Sequence, residues 1–266
     1  MNNTPHFSIL ENNINKGEFS DIVVYTTIYG NYDILPKILL YDPTVDYICF
    51  TDNPKRVEKQ NKEGFWRIIC FRPFNDPVIS NRLIKIYPSS CTFNIPHYSV
   101  YIDANIDIVG DMRDFIKCSN CFSIATYDHP LAFKLDDEIV ACIQAGYFPV
   151  RLKKTIQESI SKFELSELCR QQECSLIVRD HQNILIEKLG CIWWSLYFNF
   201  AAKRDQIWFS TALRLTNVDH MRLGESDPRF KKLFFSHRLS HRYKPRLKQR
   251  FQRKLNQLSS KSLWHT

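Results

Sequence analysis

Short apolar runs alternate along this chain with segments whose apolar residues recur at helical spacing. That alternation predicts an α/β domain on a largely parallel sheet. Asp21–Thr27 reads as a buried first strand, followed by the polar turn Tyr29-Gly30-Asn31-Tyr32-Asp33. Asp46–Thr51 reads as a second strand ending in Asp52-Asn53-Pro54, and Trp66–Arg72 as a third. Ile79, Leu83, Ile84 and Tyr87 fall at helical spacing, which leaves Arg82 and Lys85 on other faces. Tyr98–Asp103 predicts a strand leading into Ala104-Asn105-Ile106-Asp107, and Phe122–Tyr127 predicts another. Phe133–Ala145 and Arg151–Gln171 read as helices, Ser175–Arg179 as a short strand and Arg204–Leu215 as a helix.

Polar residues thus gather where strands end: Thr26 and Thr27, Asp52, Asp103 and Asn105, Asp128 and His129. In an open α/β sheet, ligands bind beyond the carboxyl ends of strands. Neither a Gly-x-Gly-x-x-Gly nor a phosphate-binding loop motif occurs, so dinucleotide-binding and P-loop folds are not expected.

At 266 residues with 44% hydrophobic positions, the chain is long enough for one generous domain with a sizeable core. Its net charge of +8 is unevenly placed. No acidic residue follows Asp227, and Arg229 to Thr266 holds twelve Lys and Arg, leaving 24 positive against 28 negative residues elsewhere. The charge suggests an extension over 1–20, a mildly acidic domain over 21–228 and a basic tail over 229–266. In that tail Leu247, Phe251, Leu255 and Leu258 make an apolar stripe at i, i+4, i+8 and i+11. A basic amphipathic helix of this kind suits an anionic membrane surface. The body lacks an aromatic-basic RNA motif, so nucleic acid is not expected as a partner.

The first twenty residues have no apolar signal core, so the chain is expected in the cytoplasm with its nine cysteines reduced. Most of these lie in apolar runs, as small hydrophobes. Cys118 and Cys121 form a lone Cys-x-x-Cys without a partner pair for zinc.

Asp103-Ala104-Asn105 carries the most chemistry. A strand delivering two oxygen ligands into one turn suits a divalent cation that also touches a diphosphate. By itself the spacing more often marks a turn-capping Asp, and Asn is a poorer ligand than a carboxylate. Asp205 at a helix start equally fits a favourable charge on the helix dipole. Trp193 and Trp194 fit a core as well as a sugar-stacking surface.

Several stretches together resemble the glycosyltransferase-like proteins catalogued as domain of unknown function 616, known in plant Golgi and bacterial polysaccharide clusters. They are Tyr25-Thr26-Thr27-x-Tyr29-Gly30-x-Tyr32-Asp33, Tyr47-Ile48-Cys49-Phe50-Thr51-Asp52, Trp66-Arg67-Ile68 and Asn81-Arg82-x-x-Lys85. Tyr101-Ile102-Asp103-Ala104-Asn105-Ile106, His129-Pro130 and Arg204-Asp205-Gln206 continue the series in order, covering roughly Asp21 to Leu215. The resemblance implies a GT-A-like domain that moves sugar from a nucleotide-sugar donor to a glycan or lipid-linked acceptor. Thr26, Thr27, Tyr29 and Asp52 would meet nucleoside, and Arg82 and Lys85 the diphosphate. Asp103, Asn105 and His129 would hold Mn²⁺ or Mg²⁺. Glu138 would face the acceptor, and Arg204, Asp205 and Gln206 would serve catalysis, Asp205 as general base or as stabiliser of an oxocarbenium-like centre. The tail would hold the enzyme on the inner membrane for bacterial surface-polysaccharide or lipopolysaccharide synthesis. The rival expectations are a non-catalytic glycan-binding or scaffold protein of the same fold and, behind it, a nucleic-acid-associated protein acting through its basic tail.

Overall fold

The computed structural model describes residues 19–90, 96–119, 122–130, 134–163, 171–200, 202–238, 251–252 and 254–256. The strands are β1 (Ile22–Ile28), β2 (Asp46–Thr51), β3 (Arg67–Cys70), β4 (Tyr98–Ile102), β5 (Ile106–Ile108), β6 (Ile124–Asp128), β7 (Gln172–Asp180), β8 (His220–Arg222) and β9 (Phe235–His237). The α-helices are α1 (Pro54–Glu58), α2 (Pro77–Ile86), α3 (Met112–Ser119), α4 (Leu135–Gln144), α5 (Leu152–Ser161), α6 (Leu185–Asn199) and α7 (Asp205–Thr216).

A seven-stranded sheet runs in the order β3-β2-β1-β4-β7-β6-β8. Its β1–β2, β2–β3, β1–β4 and β6–β8 pairings are parallel, and β7 is antiparallel to both β4 and β6. The expected α/β class, a mostly parallel central sheet flanked by helices, is the one observed. The carboxyl ends of β1, β2, β4 and β6 therefore share one edge with the amino end of β7.

Strand alternation sorts the core into two layers. Val23, Tyr25 and Tyr29 of the first strand region face a cluster with α2, α4, α5, α6 and α7. Ile22, Val24 and Ile28 face the other, with Val57 of α1, Phe115 of α3, and Ile106, Ile108 and Phe235 of β5 and β9. Trp193 and Trp194 are both buried in the helical layer, so they act as core. Cys49, Cys142 and Cys174 are likewise buried thiols, whereas Cys121 lies outside the described residues.

Two differences from the sequence reading have physical causes. The predicted helix Arg151–Gln171 ends as α5 at Ser161, and Gln172 already belongs to β7, whose first residues are buried. The charge boundary at Arg229 falls inside the packed body. There Asp227 accepts the backbone N–H groups of Leu233 (2.8 Å), Phe234 (3.0 Å) and Phe235 (2.9 Å). That carboxylate turns the chain into β9, which pairs antiparallel with β5, His237 opposite Ile106. No helix among the described residues is long and apolar enough to cross a membrane.

Candidate active site

The site grows from the ends of β1 and β4. On β1, Thr27 faces the helical layer, where Asn81 of α2 donates to its hydroxyl (2.7 Å). Thr26 points the other way, fully buried. Asp76 starts α2 by accepting from Val78 N (2.7 Å) and Ile79 N (3.3 Å), with Pro77 fixing the first turn. This start aims Asn81 and Arg82 at the carboxyl edge of the sheet. On β4, the Tyr101 hydroxyl donates to Asp103 Oδ1 (2.7 Å). Burial and the Asp103 charge raise the pKa of that hydroxyl well above the ordinary phenol value, so it keeps its proton.

A cavity of about 420 Å³ opens here, its walls including Thr27, Tyr29, Asn81, Arg82, Tyr101, Asp103, Asn105, Tyr147, Lys203, Arg204, Arg229 and His237. Asn105 and His237 meet across it, Nδ2 to Nε2 at 2.9 Å. The guanidinium of Arg204 lies 5.2 Å from the Tyr147 ring centroid.

Behind the wall is a compact charge cluster. Asp205, the first residue of α7, is buried against Lys85 (2.8 Å) and Arg82 (3.3 Å). Lys85 also reaches Asp103 at 3.4 Å. Burial alone would raise the Asp205 pKa, but Arg82, Lys85 and Arg204 together hold it well below the usual carboxylate range. Arg204 in turn pairs with buried Glu138 (3.2 Å) and donates to Gln206 Oε1 (3.2 Å). The entry to α7 is pinned by two indoles: Trp193 donates to Asp205 O and Trp208 to Ala202 O, each at 2.8 Å.

The structure thus brings Thr27, Tyr29, Arg82, Asp103, Asn105 and Arg204 to one cavity, with Lys85, Asp205 and Gln206 just outside its lining. Asp52 lies elsewhere in the turn: both its carboxylate oxygens accept from Gly30 N–H (3.1 and 3.0 Å), and Gly30 has φ 61°. His129 is absent from the lining and faces Glu138 at 3.6 Å; burial lowers its pKa against the pull of Glu138. The imidazole beside Asn105 belongs instead to His237. The sequence reading passed over His237 because the basic composition around it reads as tail. The available signal was the apolar run Leu233-Phe234-Phe235 just before it.

Among the described residues, no cluster of three or more His, Cys, Asp and Glu side chains forms a metal site. The cavity wall nonetheless carries the carboxylates of Asp33 and Asp103, the carboxamide of Asn105 and the imidazole of His237, a set whose oxygens suit Mn²⁺ or Mg²⁺.

Solved structures of similar shape include mouse xyloside xylosyltransferase 1 in its apo form. That likeness has a TM-score of 0.46 and 8% identity over 76% of this chain and 84% of the other. The apo structure of WbbM, a bifunctional glycosyltransferase, gives a TM-score of 0.42 and 11% identity over 77% of this chain and 39% of the other. A sequence search of curated proteins found no match. Residues 1–236 match the family model described as TOD1/MUCI70, glycosyltransferase-like domain, and the chain therefore belongs to that family.

Proposed function

We propose that this protein moves a sugar from a nucleotide-sugar donor to a glycan or lipid-linked acceptor, as expected of the domain of unknown function 616 proteins. The family supports transferase chemistry. The observation that carries the reading is the convergence of Arg82, Arg204, Asp103, Asn105 and His237 on one cavity at the carboxyl edge of the sheet.

In this reading Thr27 and Tyr29 border the nucleoside, and Arg82 and Arg204 face the diphosphate. Their guanidinium groups stabilise the charge that grows on the leaving group. Lys85 is too deep to meet substrate and positions Asp103 instead. Asp205, held ionised between cations, is a poor proton acceptor near neutral pH. Its role is to position Arg82 and Lys85. Asp103, Asn105 and His237 would hold a divalent cation, which when bound neutralises diphosphate charge. The basic segment beyond residue 238 would place the enzyme on an anionic inner-membrane surface during surface-polysaccharide assembly.

Purified protein incubated with a panel of nucleotide sugars, with and without Mn²⁺ or Mg²⁺, is expected to bind and slowly hydrolyse a donor. Asp103→Ala is expected to abolish turnover with the fold intact. Failure to bind or hydrolyse any donor sinks the reading, and binding without turnover points to a glycan-binding protein.

A further inference from the structure

Residues 251–252 and 254–256 of the basic segment are helical, and their attachment to the body is polar. Buried Asn256 donates from Nδ2 to the carbonyls of Ile143 (2.7 Å) and Phe148 (3.2 Å). Its Oδ1 accepts from Val150 N (3.3 Å) and from Gln252 Nε2 (2.9 Å). These backbone groups belong to the end of α4 and the turn after it, where a helix leaves carbonyls without intrahelical partners. One carboxamide therefore ties the segment to the turn that carries Tyr147, at the wall of the cavity.

The two described residues of the apolar stripe stay exposed. Phe251 is 65% exposed and Leu255 40% exposed, each one residue around the helix from Gln252 and Asn256. Leu247 and Leu258, the rest of the stripe, lie outside the described residues. A helix folded back on the core for its own stability would bury Phe251 and Leu255. Here they face outward beside exposed Lys254, in a stretch with no acidic residue after Asp227. Exposed apolar side chains beside an exposed cation match an anionic lipid interface in both chemistry and charge.

We propose that Asn256 fixes this segment at the cavity rim, so that an anionic lipid surface engaged by Phe251, Leu255 and Lys254 lies beside the cavity mouth at Tyr147. The inference rests on the membrane reading above and adds its geometry: a lipid-linked acceptor enters from the side of the site that faces the bilayer. Exposed Ile184 supplies the control position. It follows the carboxyl end of β7, where Asp180 pairs with Tyr98 at the amino end of β4, so it lies at the opposite edge of the sheet.

The test places an environment-sensitive fluorophore at position 147 or at position 184. Each protein is mixed with phosphatidylcholine–phosphatidylglycerol vesicles carrying a nitroxide-labelled lipid. Both are expected to bind, with quenching several-fold stronger at 147. Binding with equal quenching at the two positions overturns the proposed geometry and leaves the membrane reading standing. Absence of binding to anionic vesicles overturns both. Asn256→Leu in the 147-labelled protein is expected to keep vesicle binding but lose the excess quenching; retained excess removes Asn256 from the role.

Discussion

Lys85 Nζ lies 2.8 Å from Asp205 Oδ2, joining the last turn of α2 to the first residue of α7 behind the cavity wall. Two elements far apart in sequence are thereby fixed by one carboxylate that also faces Arg82 at 3.3 Å. The site's positive charge is held in place by a buried anion.

Asp205→Asn keeps the shape and removes that anion, leaving buried Lys85 with Asp103 alone at 3.4 Å and half-buried Arg82 without its partner at 3.3 Å. A stability loss of roughly 3–5 kcal/mol is expected in urea unfolding. In a double-mutant cycle, Lys85→Met should recover part of it, because the lysine would no longer need a partner. Additive losses would show that the pair is not energetically coupled.

His237→Ala should weaken Mn²⁺ binding at least about tenfold, measured by calorimetry in the presence of a nucleoside diphosphate. Asn105→Asp should strengthen it by adding a carboxylate ligand. His129→Ala is expected to leave the affinity alone, since His129 sits against Glu138. An effect at 129 equal to that at 237 would contradict this assignment.

Asp227→Ala should cost roughly 2–4 kcal/mol, because three backbone N–H groups lose a charged acceptor at once. The same variant should also weaken Mn²⁺ binding, as β9 no longer delivers His237. Loss of stability with unchanged metal affinity would separate the two.

Acid should destabilise the fold through two half-buried imidazoles. His181 accepts or donates at Ser99 Oγ (2.7 Å), and burial lowers its pKa to about 3. His220 meets Thr126 Oγ1 (2.8 Å), and burial lowers its pKa to about 4. As pH drops below about 6.5 the unfolded chain takes up protons that the native state refuses, so stability falls until the native pKa values are reached. The loss should be on the order of 3 kcal/mol for His220 by pH 4. Urea midpoints measured from pH 7 to pH 4 should decline less steeply in His220→Gln; an unchanged slope would exclude His220 as a source.

The strands β1, β2 and β4 were legible because each is a compact apolar run closed by polar residues, and their ends carry Thr27, Asp103 and Asn105 as expected. Arg82 and Lys85 were legible as a pair on one helix. Their shared partner was not, because Asp205 reads locally as a helix-start residue and its ion pairs exist only once α7 packs on the sheet. β9 was hidden for a different reason. It is three residues long and sits among cations, so its place is set by the Asp227 turn and by Gly110. A Cβ at Gly110 would lie 2.3 Å from Leu233 O, a constraint between two chain segments that no local pattern displays.

The bond between Asn105 and His237 spans 132 residues. During synthesis the sheet edge bearing Asp103 and Asn105 emerges long before the segment that completes it. A nascent chain that has already paired β1, β2 and β4 therefore still has an open, unfinished pocket, and closing it is a late, long-range event in folding. Completion of the pocket is in this sense gated by the ribosome: the last strand among the described residues is also the one that finishes it.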